Sequence, residues 1–438
     1  LTAGKKFVKN TFSLASAELV TKFLGFILVI YIARVLGEVE FGKYSFALAF
    51  TLLFAFFSDF GLSQLTIREV ASRKEDADKY LGTVSAIKVI LSVLTIALVV
   101  VAINVLEYPY EIVIAVYIAG AYAVVNSFNL FLCSFYRAFE QMEYELVTRV
   151  MEKIIIFSLA IVFLLLGYSF IAVISAFLIG SLTRLVASLL FVTTKFIRPK
   201  LHFDRLFLRT LCTQALPFGL TTLFVVIYFK IDTVMLSMMV GDSAVGLYNA
   251  SYNIIEGLIA LVAGSFGGVI FPMLSKNFTA SPERLRKLYL QSFQIILIVG
   301  ILIFIFVQLF TFYIVELLYG SAYQIAALVL QIQIIAFLIV CVSTVTSTLL
   351  NSASMQRIVA IGTGFGALLN VCLNYVLIPQ YSLFGAAWAT VLTELFGFSV
   401  YLYYSTRLLK IDWGDYKSHI SIMNENIQLT KGLFKQAR

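Results

Sequence analysis

Charge and histidine are what this sequence has least of. Of its 438 residues only 13% are Asp, Glu, Lys or Arg, about half the roughly 25% usual in a soluble domain. Its two histidines, His202 and His419, stand singly in polar segments, so neither a histidine metal site nor a histidine-based catalytic pair is indicated. The four cysteines, Cys133, Cys212, Cys341 and Cys372, lie far apart with no C-x-x-C pair, which excludes a disulfide framework and a zinc ribbon. They read as packing or lipid-facing residues. Between the apolar runs there are no paired carboxylates, no nucleophile beside a base and no phosphate-cradling glycine loop. Catalysis is therefore not expected, and no metal or cofactor is implied.

What is abundant is apolar: 61% of the chain is hydrophobic, with a mean hydropathy of +0.96. That leaves no room for a large soluble domain. Runs of about 20 apolar residues, the length that crosses a bilayer, recur roughly twelve times, the first over 12–36 and the last over 384–408. Lys5, Lys6 and Lys9 precede the first run, which at about 25 residues is too long for a signal-peptide core and has no small-residue cleavage site, so it reads as a spanning helix. The expected fold is an all-α integral membrane protein of about 12 transmembrane helices.

Lys and Arg number 32, and their placement orients the spans. Between spans, only Arg34 and Lys43 fall on one side; the others gather at the N-terminus, in alternate loops and in the tail. Basic residues are retained on the cytoplasmic side, so both termini are expected there, in a multi-pass protein of the cell membrane. The net charge of +8 follows from this asymmetry, with attraction to anionic lipid as a consequence. A nucleic-acid partner is unnecessary.

The chain also repeats itself. Gly37, Glu38, Gly42 and Tyr44 precede Gly241, Asp242, Gly246 and Tyr248 by 204 residues, and Tyr168-Ser169 precedes Tyr381-Ser382 by 213. Both offsets are near half the chain length, which predicts a parallel duplication of six spans. The expected division is an N-terminal lobe over 1–200, a C-terminal lobe over 201–410, and a cytoplasmic tail over 411–438, with the basic 195–209 segment as linker.

Three segments, ARVLGEVEFGKYSFA (33–47), SDFGLSQLTIREVA (58–71) and YSLFGAAWATVLTE (381–394), resemble the polysaccharide biosynthesis transporters. These are the Wzx-like oligosaccharide flippases of the multidrug/oligosaccharidyl-lipid/polysaccharide exporter (MOP) superfamily, which also holds the MATE drug antiporters and the lipid II flippase. The resemblance covers about residues 5–410. It implies two pseudo-symmetric six-helix lobes in a V around a central cavity that opens alternately to each side. It further implies a lipid-linked oligosaccharide as substrate, with membrane lipids and glycan-assembly enzymes as partners.

Charges inside the apolar runs are the candidate site. The cations are Lys22, Lys88, Arg149, Lys153, Arg184 and Lys230; the acids include Glu18, Asp59, Glu152, Asp232, Glu256 and Glu394. Facing lipid, six cations would cost about 15–20 kcal/mol even on a lenient insertion scale, more than a typical net stability of about 5–15 kcal/mol. They must face water, a partner or the interface. Glu18 and Lys22 share a helical face in the favourable order, and Arg149, Glu152 and Lys153 share one face at spacings of three and four. Lys88 and Arg184 have no acid within one turn, so their partner must come from another helix, from water or from substrate. Lys230 and Asp232 are two apart and point away from each other. Asp59 lies nine residues, about 13 Å, inside the basic REVASRKED stretch. It reads as an interhelical group first, and otherwise as a counter-ion or a coupling site, a role open also to Glu18, Asp232, Glu256 and Glu394.

The function expected is flipping of a polyprenyl-diphosphate-linked oligosaccharide from the cytoplasmic to the outer leaflet, with the cations meeting the diphosphate. A cation-coupled MATE-type drug antiporter is the alternative, because a shared fold does not fix function.

Overall fold

The computed structural model describes residues 3–197, 205–411 and 414. The basic linker beyond Ile197, most of the tail beyond Ile411, and both histidines lie outside the described residues. Among those described there is no β-strand. The helices are α1 (Ala3–Asp59), α2 (Leu62–Ser72), α3 (Ala77–Val105), α4 (Tyr110–Ala138), α5 (Met142–Leu165), α6 (Phe170–Phe191), α7 (Arg205–Met239), α8 (Asp242–Ile259), α9 (Ser265–Ala280), α10 (Pro282–Tyr319), α11 (Gln324–Ser352) and α12 (Gln356–Leu409).

Nine segments among the described residues are long and apolar enough to cross a membrane. Two of them are broken: α1 at Gly37, with φ 77° and ψ 173°, and α12 at Ser382, with φ 54° and ψ −134°. Glycine adopts such a conformation freely, whereas Ser382 holds it under strain. The 24 residues of α5 are long enough to span but carry Glu152, Lys153 and Arg149. Two breaks and one charged helix account for the difference between nine segments and the twelve expected.

Contacts divide the chain into two units, Leu1–Ala250 with Glu316–Tyr323, and Ser251–Val315 with Gln324–Arg438. In the first unit, Leu62, Leu65, Phe131, Phe135, Tyr136 and Val192 build a buried core. Tyr108 turns inward, its ring 4.6 Å from that of Phe46 and its hydroxyl 3.0 Å from Ser237 Oγ, while its neighbour Tyr110 stays exposed. In the second unit α11 buries Leu330, Ile334, Phe337, Cys341, Val345 and Leu349. Lipid offers no hydrophobic drive between helices, so close approach of small residues matters. Gly300 accordingly sits against Leu338, and Gly362 against Tyr401.

Candidate functional site

The first unit gathers its intramembrane charges into three groups, each assembled from different helices. α3 buries a polar stripe of Thr83, Lys88, Ser92 and Thr95 along an otherwise apolar helix. Lys88 is wholly buried. Its ammonium donates to Ser58 O at 3.1 Å, Asp59 Oδ1 at 2.6 Å and Ser127 Oγ at 2.6 Å, and it lies 5.7 Å and 5.9 Å from the ring centroids of Phe128 and Phe131. An ammonium has three N–H donors, so none is left for a ligand. Asp59 also accepts from the Ser63 hydroxyl and, at 3.4 Å, from the Ser63 amide. The chain breaks just beyond it, where Phe60 (φ 49°) and Gly61 (φ 81°) take left-handed conformations.

Arg184 on α6 forms the second group. It donates to Glu152 Oε2 at 2.8 Å and to Cys133 Sγ at 3.0 Å, and both charged side chains are almost fully buried. Its Nε has no partner among the described residues. The partners of Lys88 and Arg184 thus come from other helices, the first of the three sources considered for them. Cys133, read as a packing residue, is buried as expected and also accepts this bond.

The third group is a ladder of charges that reaches the surface of the unit. Arg137 grips Glu145 through two bonds of 2.9 Å and 2.7 Å; Arg149 lies 3.4 Å from Glu145 and 3.1 Å from Glu18; Lys22 lies 2.9 Å from Glu18. Exposure rises from Glu145 toward Lys22, from 1% to 25% for Arg149, 46% for Glu18 and 56% for Lys22, while Arg137 at the other end is 36% accessible. Water, or a ligand, reaches its open end. Lys153 is half-buried beside this group on α5. Its amino group lies 5.8 Å from the Phe177 ring centroid and has no carboxylate within ion-pair distance among the described residues.

Elsewhere, Asp232 is buried and accepts from the Tyr248 hydroxyl at 2.8 Å, and Lys230 on the same helix is half-buried. Glu256 and Glu394 are half-buried in the second unit. Among the described residues no three His, Cys, Asp or Glu side chains cluster to hold a metal. Sequence reasoning missed Glu145, which links Arg137 to Arg149; its spacing of eight and four from those arginines was the available signal. It also missed Ser127, whose only signal was a small polar residue in an apolar run.

Residues 7–278 match the family described as polysaccharide biosynthesis protein, and residues 217–376 match the MatE family. The chain belongs to the polysaccharide biosynthesis protein family. It is 24% identical to the uncharacterized membrane protein MJ1068 of Methanocaldococcus jannaschii, over 87% of this chain and 81% of that one. To MJ1375 of the same organism it is 23% identical, over 92% and 98%. Among solved structures it resembles the lipid II flippase MurJ in an inward closed conformation (TM-score 0.77, 16% identity, 94% of this chain and 92% of that one). It also resembles a multidrug resistance MATE family transporter of the MOP superfamily in its inward-facing conformation (TM-score 0.72, 16% identity, 92% and 99%). The chain is a multi-pass membrane protein, and its fold is the one shared by the lipid II flippase and MATE transporter structures.

Proposed function

We propose that this protein flips a polyprenyl-diphosphate-linked oligosaccharide from the cytoplasmic to the outer leaflet by alternating access. The observation that carries the reading is the excess of cations where the second and third groups and Lys153 adjoin: Arg137, Arg149, Lys22, Lys153 and Arg184 accompany Glu18, Glu145 and Glu152. A diphosphate needs that excess, and Lys153, with no carboxylate of its own, supplies free donors for it. We assign the anion contacts to Lys153, Lys22 and Arg149. Lys88 and Arg184 direct their donors into the protein and hold helices together. One structural neighbour is a lipid II flippase, which supports a lipid-linked substrate.

The setting we infer is the cell membrane, with both termini cytoplasmic, two lobes over 1–200 and 201–410, and glycan-assembly enzymes as partners. A MATE-type antiporter is the second reading, favoured by the MatE match over 217–376 and by Glu18, an acid that stays partly exposed between two cations.

The deciding experiment uses proteoliposomes with purified protein and a short-chain polyprenyl-diphosphate oligosaccharide, with a cationic dye as parallel substrate. Glycolipid movement without dye transport supports the flippase reading. Ion-coupled dye transport without glycolipid movement replaces it with the antiporter.

A further inference from the structure

The charge ladder holds its two carboxylates in opposite settings. Glu145 is 1% exposed and takes three bonds, two from Arg137 at 2.9 Å and 2.7 Å and one from Arg149 Nη1 at 3.4 Å. Uncoupling it would leave a buried charge without a partner. Glu18 is 46% exposed, and among the described residues its carboxylate meets only two cations: Oε1 lies 2.9 Å from Lys22 Nζ, and Oε2 lies 3.1 Å from Arg149 Nη2. Lys22 is on α1 and Arg149 on α5, so one acid spans two helices with one oxygen on each cation.

A phosphate would do the same. It offers anionic oxygens to two donors, each taken at about 2.7–2.9 Å. Lys22 and Arg149 are two of the three cations assigned to the substrate's diphosphate, and the third, Lys153, lies one turn from Arg149 on α5. Glu18 thus occupies the place of a substrate phosphate. Its hold is light: exposed ion pairs contribute little, and a carboxylate released from them passes into water. Arg149 stays aimed when Glu18 leaves, because its other nitrogen remains on Glu145. Nor can Glu18 diffuse away. One helical turn from Lys22, it competes as a tethered ligand at high effective concentration.

We propose that Glu18 is a built-in competitor of the substrate's diphosphate, a carboxylate that neutralises Lys22 and Arg149, yields them to a diphosphate and reclaims them as the diphosphate leaves. The role rests on the flippase reading and adds a specificity to it. A competitor lowers the affinity of every phosphate ligand by the same factor. A diphosphate tolerates that loss because its second phosphate also gains Lys153; the single-phosphate lipids that crowd a bilayer lack that contact and are kept from blocking the site. Release is helped for the same reason, since Glu18 re-forms both ion pairs as the phosphate departs.

The test uses the full chain in detergent, titrated with geranylgeranyl diphosphate and geranylgeranyl monophosphate, and in proteoliposomes moving the short-chain polyprenyl-diphosphate oligosaccharide. Glu18→Gln keeps the shape and removes the charge; Glu18→Asp keeps the charge but is one methylene too short to span both cations. Both change an exposed side chain and should fold. Each should bind the diphosphate about three- to tenfold tighter than the parent, as expected if Glu18 leaves the cations free between about a third and a tenth of the time, and the monophosphate should gain by the same factor. Glycolipid movement by Glu18→Gln should show a lower KM and a lower kcat together, which loss of a structural contact would not produce. Folded variants that bind the diphosphate as the parent does, or more weakly, overturn the proposal. So does a gain confined to Glu18→Gln, which would show only the field of one charge. Tighter diphosphate binding in both variants of a parent that moves no glycolipid would keep the competitor and refute the substrate. A parent that binds neither probe and exports the cationic dye, with export lost in Glu18→Gln, would refute both.

Discussion

The Lys88 ammonium lies 2.6 Å from Asp59 Oδ1, in a pocket where Ser58 O and Ser127 Oγ take its two remaining protons. Three elements meet there: the end of α1, the middle of α3 and the middle of α4. Removing Asp59 strands the wholly buried Lys88 ammonium, which costs about 3–5 kcal/mol, and removing Lys88 deprives Asp59, 23% accessible and still bonded by Ser63, of its only cation among the described residues. Lys88→Ala and Asp59→Ala should each lower the thermal transition of the detergent-solubilised protein sharply. The double variant Lys88→Met/Asp59→Leu, which strands nothing, should recover most of that loss. Single variants as stable as the parent would refute the structural role.

Lys153 behaves oppositely in this account. It has a ring at 5.8 Å for company and, among the described residues, no carboxylate within ion-pair distance, so Lys153→Ala should leave the thermal transition close to the parent's. Loss of one charge-assisted contact of about 1.5–3 kcal/mol corresponds to a drop in substrate affinity of about tenfold or more. Lys153→Arg should retain most of it. Glycolipid movement measured against substrate concentration tests this, and parental affinity in Lys153→Ala would remove the residue from the site.

Arg184 and Glu152 should respond as a matched pair. With both side chains buried and the bond at 2.8 Å, Arg184→Lys loses the fork that reaches Glu152 and Cys133 together, so it is not a conservative change. It should destabilise nearly as much as Arg184→Ala. A Lys variant with the parent's unfolding temperature would show that charge alone suffices there.

Lys22 and Glu18 supply the exposed counterpart. Their side chains are 56% and 46% accessible, and exposed pairs four apart on a helix are worth about 0.3–0.5 kcal/mol. Lys22→Ala should therefore barely change stability while weakening glycolipid movement. A large fall in unfolding temperature would mean that the ladder is structural.

Gly61 should tolerate no side chain. Its φ is 81°, and a Cβ there would lie 2.5 Å from Ala215 O and 2.6 Å from Gly219 N, on a helix that approaches closely. Backbone strain of about 1–3 kcal/mol adds to that overlap. Gly61→Ala should reduce the yield of folded protein, as measured by gel filtration, where Gly25→Ala does not.

Much of this was legible in the chain, and the boundary is physical. Span length and apolarity are local, so the membrane class, the helical fold and the breaks near Gly37 and Tyr381-Ser382 could be read directly. The Glu18–Lys22 pair was legible for the same reason: a helix brings residues four apart together wherever it sits. Lys88 could be seen to need a partner from outside its own turn. It could not be seen that Asp59, 29 residues away, is that partner, because helix–helix contacts join positions unrelated by any period.

Composition and spacing settled that the chain spans a membrane many times, that its intramembrane charges cannot face lipid, and that its halves echo each other. Those follow from the energy of burying charge and from helix geometry, which act on short stretches. Only the packing of α1, α3, α4, α5, α6 and α8 decided which cations are spent on internal carboxylates, that Lys153 keeps its donors, and that Gly42 and Gly246 touch. A charge's availability depends on which other helix lies within about 3 Å of it, and that distance belongs to the folded bundle.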